Sequence, residues 1–278
     1  MKYRIIRRLG SGGFGNVYQV QASDGNTYAM KLLRDLSRIN KQRFETEIQI
    51  LAQLDHLNIV KIFEWNLGGD PPDFSPWYTM EYLHGGSLRS HMDDKFEGPY
   101  VFHRNWTINT VILPACHALA QAHSAGIYHR DLKPDNIMYT SKDRAQIKIT
   151  DWGLGRDIGR KSIALTASAG QIGGTPGYCA PEQWFILDKI DGRADIFSLG
   201  VIFYEMMTGR RPPVYDQNDS SLKRPKVVNV PSKYHPTITP ELDRCILKML
   251  ELDAEKRYQS VWQLISEIES LPDSNYYY

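Results

Sequence analysis

The chain has 278 residues, of which 42% are hydrophobic, and this is enough apolar material for one large domain or for two lobes. Its 33 basic and 32 acidic side chains leave a formal net charge of +1, so no overall field favours nucleic acid or an acidic membrane surface as a partner. The three cysteines are widely spaced and indicate neither a disulfide framework nor a zinc site, and the longest apolar run, residues 196–207, is too short and too broken to span a bilayer. We therefore expect a soluble, cytoplasmic protein that acts without nucleic acid or a membrane.

The first predicted elements are two strands joined by a glycine-rich turn. Residues 3–9 alternate as a strand, and GSGGFGNVY then turns back into a second strand that ends near Gln21. Gly10, Gly12 and Gly15 lack a Cβ and let backbone amides approach a phosphate group. Because a strand follows the turn, the pattern does not indicate a dinucleotide-binding fold, in which a helix would follow. A phosphate site and a plain structural hairpin both remain possible from this pattern alone.

A lysine and a glutamate that can form a buried pair come next. Residues 27–32 form a third predicted strand, in which Lys31 stands among apolar residues and needs a partner. The helix predicted over residues 36–54 carries Glu47 beside its apolar face. Either Glu47 holds Lys31 toward a phosphate, or Glu47 is one of several solvated charges on that helix.

Two more strands and a change of composition mark the end of the first half. The strands are predicted over residues 59–65 and 78–82, and the loop between them, residues 66–76, is rich in Gly, Asp and Pro and longer than a hairpin needs. After residue 83 the pattern changes from strand-like to helix-like, which predicts a hinge between two lobes. The long loop and a polar, aromatic insert over residues 95–104 are either functional or merely tolerated.

The octet HRDLKPDN at residues 129–136 carries the most chemistry in the chain. Asp131 can take a proton from a hydroxyl, Lys133 can steady a transferring phosphoryl group, and Asn136 can bind a hard cation through its amide oxygen. The octet follows an apolar helical pattern over residues 108–122, so it is predicted to be a loop on a packed scaffold. A charged surface loop is the alternative interpretation.

The elements around this octet complete the second half. Pro114 should kink or split the preceding helix, and a strand over residues 147–150 delivers Asp151. Together with Asn136, Asp151 offers oxygen ligands that suit Mg²⁺ rather than a soft metal. A polar segment over residues 154–173 then leads to GTPGYCAPE. The closing helices are predicted over residues 194–208, 241–252 and 261–271.

Taken in order, GSGGFGNV, AMK, the helix with Glu47, HRDLKPDN, DWG and GTPGYCAPE resemble the motif set of the eukaryotic-type Ser/Thr protein kinases over about residues 3–271. The resemblance implies an α+β, bilobal protein kinase fold with a small, mainly antiparallel β N-lobe holding one main helix and a larger, mainly α-helical C-lobe. It implies an N-lobe over residues 1–83, a C-lobe over 84–271 and a short tail over 272–278. It also implies Mg²⁺-dependent transfer of the γ-phosphate of ATP to Ser and Thr hydroxyls of protein substrates, with autophosphorylation.

The resemblance implies roles for individual residues of this chain. Asp131 would be the catalytic base, Lys133 would face the γ-phosphate, Lys31 would contact the α- and β-phosphates, and Glu47 would orient Lys31. Asn136 and Asp151 would hold Mg²⁺. The implied ATP-binding positions are Gly10, Ser11, Gly12, Gly13, Phe14, Gly15, Val17, Ala29, Lys31, Met80, Glu81, Leu83 and Met138.

One departure from the family pattern lies beside the metal position. Trp152 stands where the family usually has Phe, and this larger ring can bias how this segment moves while leaving Asp151 intact. Two other classes of protein stay open at this point: a pseudokinase scaffold and a small-molecule kinase of related fold. Every catalytic position is filled, which disfavours the scaffold, and GTPGYCAPE with Lys133 disfavours the small-molecule kinase.

A regulatory site is also implied by the resemblance. Arg130 precedes the catalytic Asp, and family members with this Arg are often activated by a phosphate that a basic cluster binds. By spacing, Arg43 and Arg156 can join Arg130. The usual acceptor position is Gln171, so we expect autophosphorylation at Thr166 or Ser168 instead, the alternative being that Gln171 satisfies the cluster without a phosphate.

Overall fold

The structure of the protein is a computed structural model. It describes residues 2–11, 15–68, 75–96, 102–153, 175–184, 190–213, 228–235 and 238–272.

The first lobe is built on an antiparallel sheet of five strands in the order β1-β2-β3-β5-β4. The strands are β1 (Tyr3–Ser11), β2 (Gly15–Ala22), β3 (Thr27–Leu33), β4 (Ile62–Asn66) and β5 (Trp77–Glu81). Ser11 pairs with Asn16, so the residues that flank the glycine-rich turn lie at one end of the sheet. The five strands predicted from the sequence are present, with boundaries that differ by up to three residues.

The helix that covers this sheet is α1 (Arg38–Leu51). It begins two residues later than predicted because Ser37 caps it: the Ser37 side chain accepts a hydrogen bond from the backbone N–H of Asn40. Its buried face includes Phe44, Glu47 and Ile48, so a glutamate lies among apolar residues directly under the sheet.

The second lobe is mainly helical. In chain order its helices are α2 (Leu88–Phe96), α3 (Arg104–Trp106), α4 (Leu113–Ser124), α5 (Pro181–Trp184), α6 (Arg193–Thr208), α7 (Pro240–Met249) and α8 (Val261–Glu269). A π-helical segment, Thr107–Ile112, joins α3 to α4. Pro114 cannot donate a backbone hydrogen bond, and the wider π turn just before it accommodates this loss without a break in the helix.

The core of this lobe is α6, whose residues 194–208 are all buried. The helix ends where Gly209 adopts φ 70°, a left-handed conformation that glycine takes without strain. A two-stranded sheet, β6 (Ile137–Tyr139) and β7 (Ile147–Ile149), contacts α2 and α4 on the side of the second lobe.

Backbone hydrogen bonds tie β7 to the segment that follows α1. The N–H of Val60 donates to the carbonyl of Ile149 at 3.0 Å, and the N–H of Ile149 donates to the carbonyl of Asn58 at 2.8 Å. These contacts hold the start of the Asp151 segment against the first lobe. The positions of the lobe boundaries themselves stay a prediction.

Candidate active site

A cavity of about 510 Å³ lies between the two lobes. The glycine-rich hairpin covers it, β3 and β5 form its wall, and the second lobe closes it from the other side. Most of the ATP-binding positions implied by the family resemblance line it: Gly10, Ser11, Gly15, Val17, Ala29, Lys31, Met80, Glu81, Leu83 and Met138. Gly12, Gly13 and Phe14 lie outside the described residues.

Glu81, the last residue of β5, has two partners for its side chain. The Glu81 carboxylate accepts hydrogen bonds from the backbone N–H of Lys61 at 2.8 Å and pairs with Lys148 Nζ at 2.9 Å. Both contacts involve Glu81 Oε1, so the side chain is directed toward Lys61 and Lys148.

Lys31 lies at the back of the cavity between two carboxylates. Its Nζ atom is 2.6 Å from Glu47 Oε1 and 2.9 Å from Asp151 Oδ1. Glu47 is 2% exposed, whereas the Asp151 side chain is 45% exposed toward the cavity. The structure thus favours the paired interpretation of Glu47 over the solvated one.

The charges of these groups follow from burial and proximity. The positive charge of Lys31 lowers the pKa of Asp151 to about 2, so Asp151 is ionised at physiological pH. Burial disfavours the charged form of Lys31, but attraction to Asp151 and Glu47 raises its pKa well above the usual value. Burial raises the pKa of Glu47, and Lys31 opposes that shift. A lysine that stays charged beside an open, ionised acid is suited to bind phosphate and metal together.

The loop after α4 brings Asp131, Lys133 and Thr175 together. Lys133 Nζ donates to Asp131 Oδ2 at 3.1 Å and to Thr175 Oγ1 at 2.8 Å. Thr175 donates to Asp131 Oδ1 through both its hydroxyl, at 2.7 Å, and its backbone N–H, at 2.8 Å. The carboxylate of Asp131 therefore already accepts a hydrogen bond from an aliphatic hydroxyl beside a cation.

This loop is held in an unusual backbone conformation from below. Arg130 has φ 64°, a conformation that non-glycine residues rarely adopt, and Asp195 on α6 accepts hydrogen bonds from the N–H groups of Arg130 at 2.7 Å and His129 at 2.8 Å. The side-chain amide of Gln183 donates to the carbonyl of Arg130 at 2.6 Å. Asp195 and Gln183 are both buried, so water does not compete for these hydrogen bonds. The hydrogen bonds stabilise the unfavourable backbone conformation of Arg130.

Asn136 and Asp151 form an oxygen donor set that fits a hard divalent cation. Asn136 uses its amide N–H to donate to the carbonyl of Asp131 at 2.9 Å, which leaves its amide oxygen as the group able to bind a cation. The backbone carbonyl of Asn136 accepts from the N–H of Thr150 at 2.9 Å, which places Asp151, the next residue, nearby. Among the residues that the structure describes, no cluster of three or more His, Cys, Asp or Glu side chains forms a separate metal site.

Trp152 is buried below the cavity. Its indole N–H donates to the carbonyl of Ile149 at 3.3 Å, and its ring centroid lies 4.8 Å from that of His129. The larger ring is thus accommodated, and Asp151 remains in contact with Lys31.

The regulatory cluster can be located only in part. Arg43 lies on α1 and is partly buried, and Arg130 donates to the carbonyl of Ile190 at 3.1 Å. Arg156, Thr166 and Ser168 lie outside the described residues, as does Gln171. The convergence of three arginines on a phosphate therefore stays a prediction.

Three residues that contact the site were not singled out as site residues by the sequence: Tyr78, Thr175 and Gln183. Thr175 and Gln183 contact the octet from more than 40 residues away, so no local pattern predicts these contacts. The GTPGYCAPE motif was the only available signal for Thr175. Tyr78 is part of an apolar strand pattern that predicts burial and says nothing of its hydroxyl.

The structure has a small antiparallel sheet with one helix above a larger helical lobe. Lys31 and Glu47 of the first lobe and Asp131 and Asp151 of the second lie around the cleft between them. This is the arrangement of a bilobal kinase fold. The sequence matches the protein kinase domain family over residues 3–268, and the chain belongs to that family. Members of this family use ATP and a divalent metal ion.

Individual relatives agree with this assignment. The chain is 35% identical over 271 residues to the serine/threonine-protein kinase Pkn1 of Myxococcus xanthus, with 93% of this chain and 36% of the relative covered. It is 35% identical over 278 residues to the serine/threonine-protein kinase PknB of Mycolicibacterium smegmatis, with 96% and 42% covered. The chain thus spans about two fifths of the length of these curated relatives.

A solved structure shows the same fold. The crystal structure of the Mycobacterium tuberculosis PknI kinase domain superposes with a TM-score of 0.70 at 25% identity, covering 96% of this chain and 95% of that one. Across the part of this chain that the structure describes, no helix has the length and apolar character needed to cross a membrane.

Proposed function

We propose that the chain is an ATP-dependent protein kinase that transfers the γ-phosphoryl group of ATP to serine and threonine hydroxyls of proteins. The observation that carries the proposal is the placement of Asp131 and Lys133 on a strained, firmly held loop beside the cavity that contains Lys31 and Asp151. The relatives named above, which are called serine/threonine-protein kinases, support the same acceptor class.

The proposed reaction assigns one task to each side chain. The oxygen of the acceptor hydroxyl attacks the γ-phosphorus, the bond from that phosphorus to the bridging oxygen breaks, and ADP leaves with the bonding electrons. Asp131 takes the proton of the acceptor hydroxyl, and Lys133 stabilises the negative charge on the transferring group. Lys31, oriented by Glu47, holds the α- and β-phosphates.

The residues Asn136 and Asp151 would hold Mg²⁺, which neutralises phosphate charge when it is bound. The fit rests on their chemistry in this structure: one free amide oxygen and one carboxylate that attraction to Lys31 keeps ionised. The hinge backbone at Glu81 and Leu83 would bind adenine, and Val17, Ala29 and Met138 would contact its faces.

Autophosphorylation forms part of the proposal. We infer that Thr166 or Ser168 is the acceptor and that the phosphate binds a cluster containing Arg130, Arg43 and Arg156. Mass spectrometry before and after incubation with ATP should find the phosphate at one of these two hydroxyls. Full activity of the Thr166→Ala, Ser168→Ala double variant would show that phosphorylation there does not control the enzyme.

Incubation with labelled ATP, Mg²⁺ and a generic protein substrate tests the main proposal. We expect label on serine and threonine after acid hydrolysis of the protein. ATP binding without transfer would favour a pseudokinase scaffold. Transfer to small molecules but not to proteins would favour a small-molecule kinase of related fold.

A further inference from the structure

A tyrosine hydroxyl meets the Lys31–Glu47 pair from the neighbouring strand. Tyr78 lies on β5 opposite Lys31 in the β3–β5 register, and it is 1% exposed. Its hydroxyl donates to Glu47 Oε1 at 2.8 Å, the same oxygen that accepts from Lys31 Nζ at 2.6 Å. Glu47 thus has a second hydrogen-bond donor, an uncharged hydroxyl from the strand next to that of Lys31.

The Tyr78 ring also contacts α1. Its centroid lies 5.3 Å from that of Phe44, which is one turn before Glu47 on the same helix. The side chain therefore contacts α1 through an apolar face and through a polar tip, and both contacts fix the helix relative to β5. Burial and the charge of Glu47 raise the pKa of Tyr78 well above its usual value, so the hydroxyl stays protonated and remains a donor.

The carboxylate of Glu47 needs this donor because its cation is shared. A carboxylate can accept about four hydrogen bonds, and a buried one that lacks partners is costly. Lys31 divides its charge between Glu47 and Asp151, and in the proposed reaction it also serves the phosphates. The Tyr78 hydroxyl is directed at Glu47 in the structure and carries no charge that a phosphate could attract away.

We propose that Tyr78 is a positioning residue that keeps Glu47, and through it α1 and Lys31, in the geometry required for phosphoryl transfer. The inference rests on the proposed function. A purely structural role for Tyr78 would need only the ring, because its packing on Phe44 does not involve the hydroxyl. Removal of the Tyr78 hydroxyl oxygen therefore distinguishes a positioning role from a purely structural one.

The test is Tyr78→Phe, which keeps the ring and removes the hydroxyl. The matched control is Tyr204→Phe: Tyr204 is also 1% exposed, but it lies on α6 and its hydroxyl donates to the carbonyl of Asn229 at 3.1 Å. We expect kcat for transfer to fall about tenfold in Tyr78→Phe, since a hydrogen bond to a charged group is lost, while the Kd for ATP changes less than about twofold. The control should keep the wild-type kcat.

A second arm asks whether Tyr78 acts through Glu47. In a Glu47→Met background, adding Tyr78→Phe should change kcat by less than about twofold, because the acceptor of the hydroxyl's hydrogen bond is already gone. A full tenfold loss in that background, or a wild-type kcat for Tyr78→Phe alone, would overturn the inference.

A third arm does not depend on activity. Amide hydrogen exchange in α1 should be faster in Tyr78→Phe than in the wild type, and unchanged in α8, at a temperature where circular dichroism shows both proteins folded. Unchanged exchange in α1 would also contradict the inference. If the wild-type protein transfers no phosphate at all, the proposed function fails, and the exchange measurement still decides whether Tyr78 holds α1.

Discussion

Two buried ion pairs of this molecule, Glu182–Arg257 and Lys31–Glu47, differ in how completely their cations are satisfied. Arg257 is 2% exposed, and its guanidinium makes five hydrogen bonds: two to the Glu182 carboxylate, at 2.6 and 2.8 Å, and three to backbone carbonyls. All of its N–H donors are thus used within the protein. Glu182 belongs to the GTPGYCAPE motif, so the pair joins this motif to the segment that precedes α8.

The cation in the cleft is shared. Lys31 contacts buried Glu47 on one side and half-exposed Asp151 on the other, so one of its partners faces the cavity. A saturated pair can only hold segments of the chain together, whereas a pair with an open side can exchange a partner for a ligand. The comparison indicates that burial of a charge does not by itself distinguish structure from function, and that the state of its remaining contacts does.

The largest expected effect on stability belongs to the saturated pair. Arg257→Met should lower the free energy of unfolding by about 3–5 kcal/mol, because it leaves the Glu182 carboxylate buried without its cation. Urea unfolding measures this loss. The control is Arg244→Met, which removes an exposed partner of Glu241 and should change the free energy of unfolding by less than about 1 kcal/mol. Similar losses in the two variants would contradict the distinction.

For the Lys31–Glu47 pair we expect a large effect on activity and a smaller effect on stability. Lys31→Met should reduce phosphoryl transfer by about 10²–10³-fold, because the phosphates lose their positioned cation. Its free energy of unfolding should fall less than that of Arg257→Met, because Glu47 keeps the hydrogen bond from the Tyr78 hydroxyl and Asp151 is open to water. Initial transfer rates and urea unfolding of the same preparation test this. A fully active Lys31→Met variant would reject the proposed site.

A smaller, pH-dependent effect is expected below the catalytic loop. Burial opposes ionisation of Asp195, but hydrogen bonding from His123 and from the N–H of Arg130 lowers its pKa below the usual value. A carboxylate with a lowered pKa in the folded state stabilises the fold above its unfolded pKa of about 4, and this contribution disappears as the pH falls through the folded value. Asp195→Asn should therefore cost about 2 kcal/mol at pH 7, and the gap to the wild type should narrow below about pH 4.

Urea unfolding at a series of pH values measures that gap. A difference between wild type and Asp195→Asn that stays constant or grows as the pH falls would show that Asp195 is not ionised in the folded protein.

Much of the fold and of the site could be predicted because the informative patterns are local. Strand alternation predicted the five strands of the first lobe, and the octet with Lys31, Glu47 and Asp151 predicted which side chains meet at the cleft. The strands followed from alternation alone. The residue pattern left open whether Glu47 pairs with Lys31, and it was the resemblance to the kinase motif set that implied a common site for these side chains.

The remaining contacts depend on tertiary register, which no single segment encodes. Tyr78 reaches Glu47 only because β5 lies next to β3 in a particular register, while β4 is at the edge of the sheet. Thr175 reaches Asp131 across 44 residues of sequence. The π-helical turn before Pro114 could not be predicted from the sequence either. A proline predicts a disturbance of the helix but not how the helix accommodates it.

The most direct test of the proposed mechanism is a paired measurement on Asp131→Asn, with Asp143→Asn, an exposed acid in the turn between β6 and β7, as the control. Asp131 contacts Lys133 and Thr175, whereas the proposed nucleotide contacts come from other residues. Transfer of labelled phosphate should therefore fall by about 10²–10⁴-fold, while the Kd for ATP stays within about twofold of the wild-type value. Wild-type transfer by Asp131→Asn would contradict the role of Asp131 and the mechanism built on it.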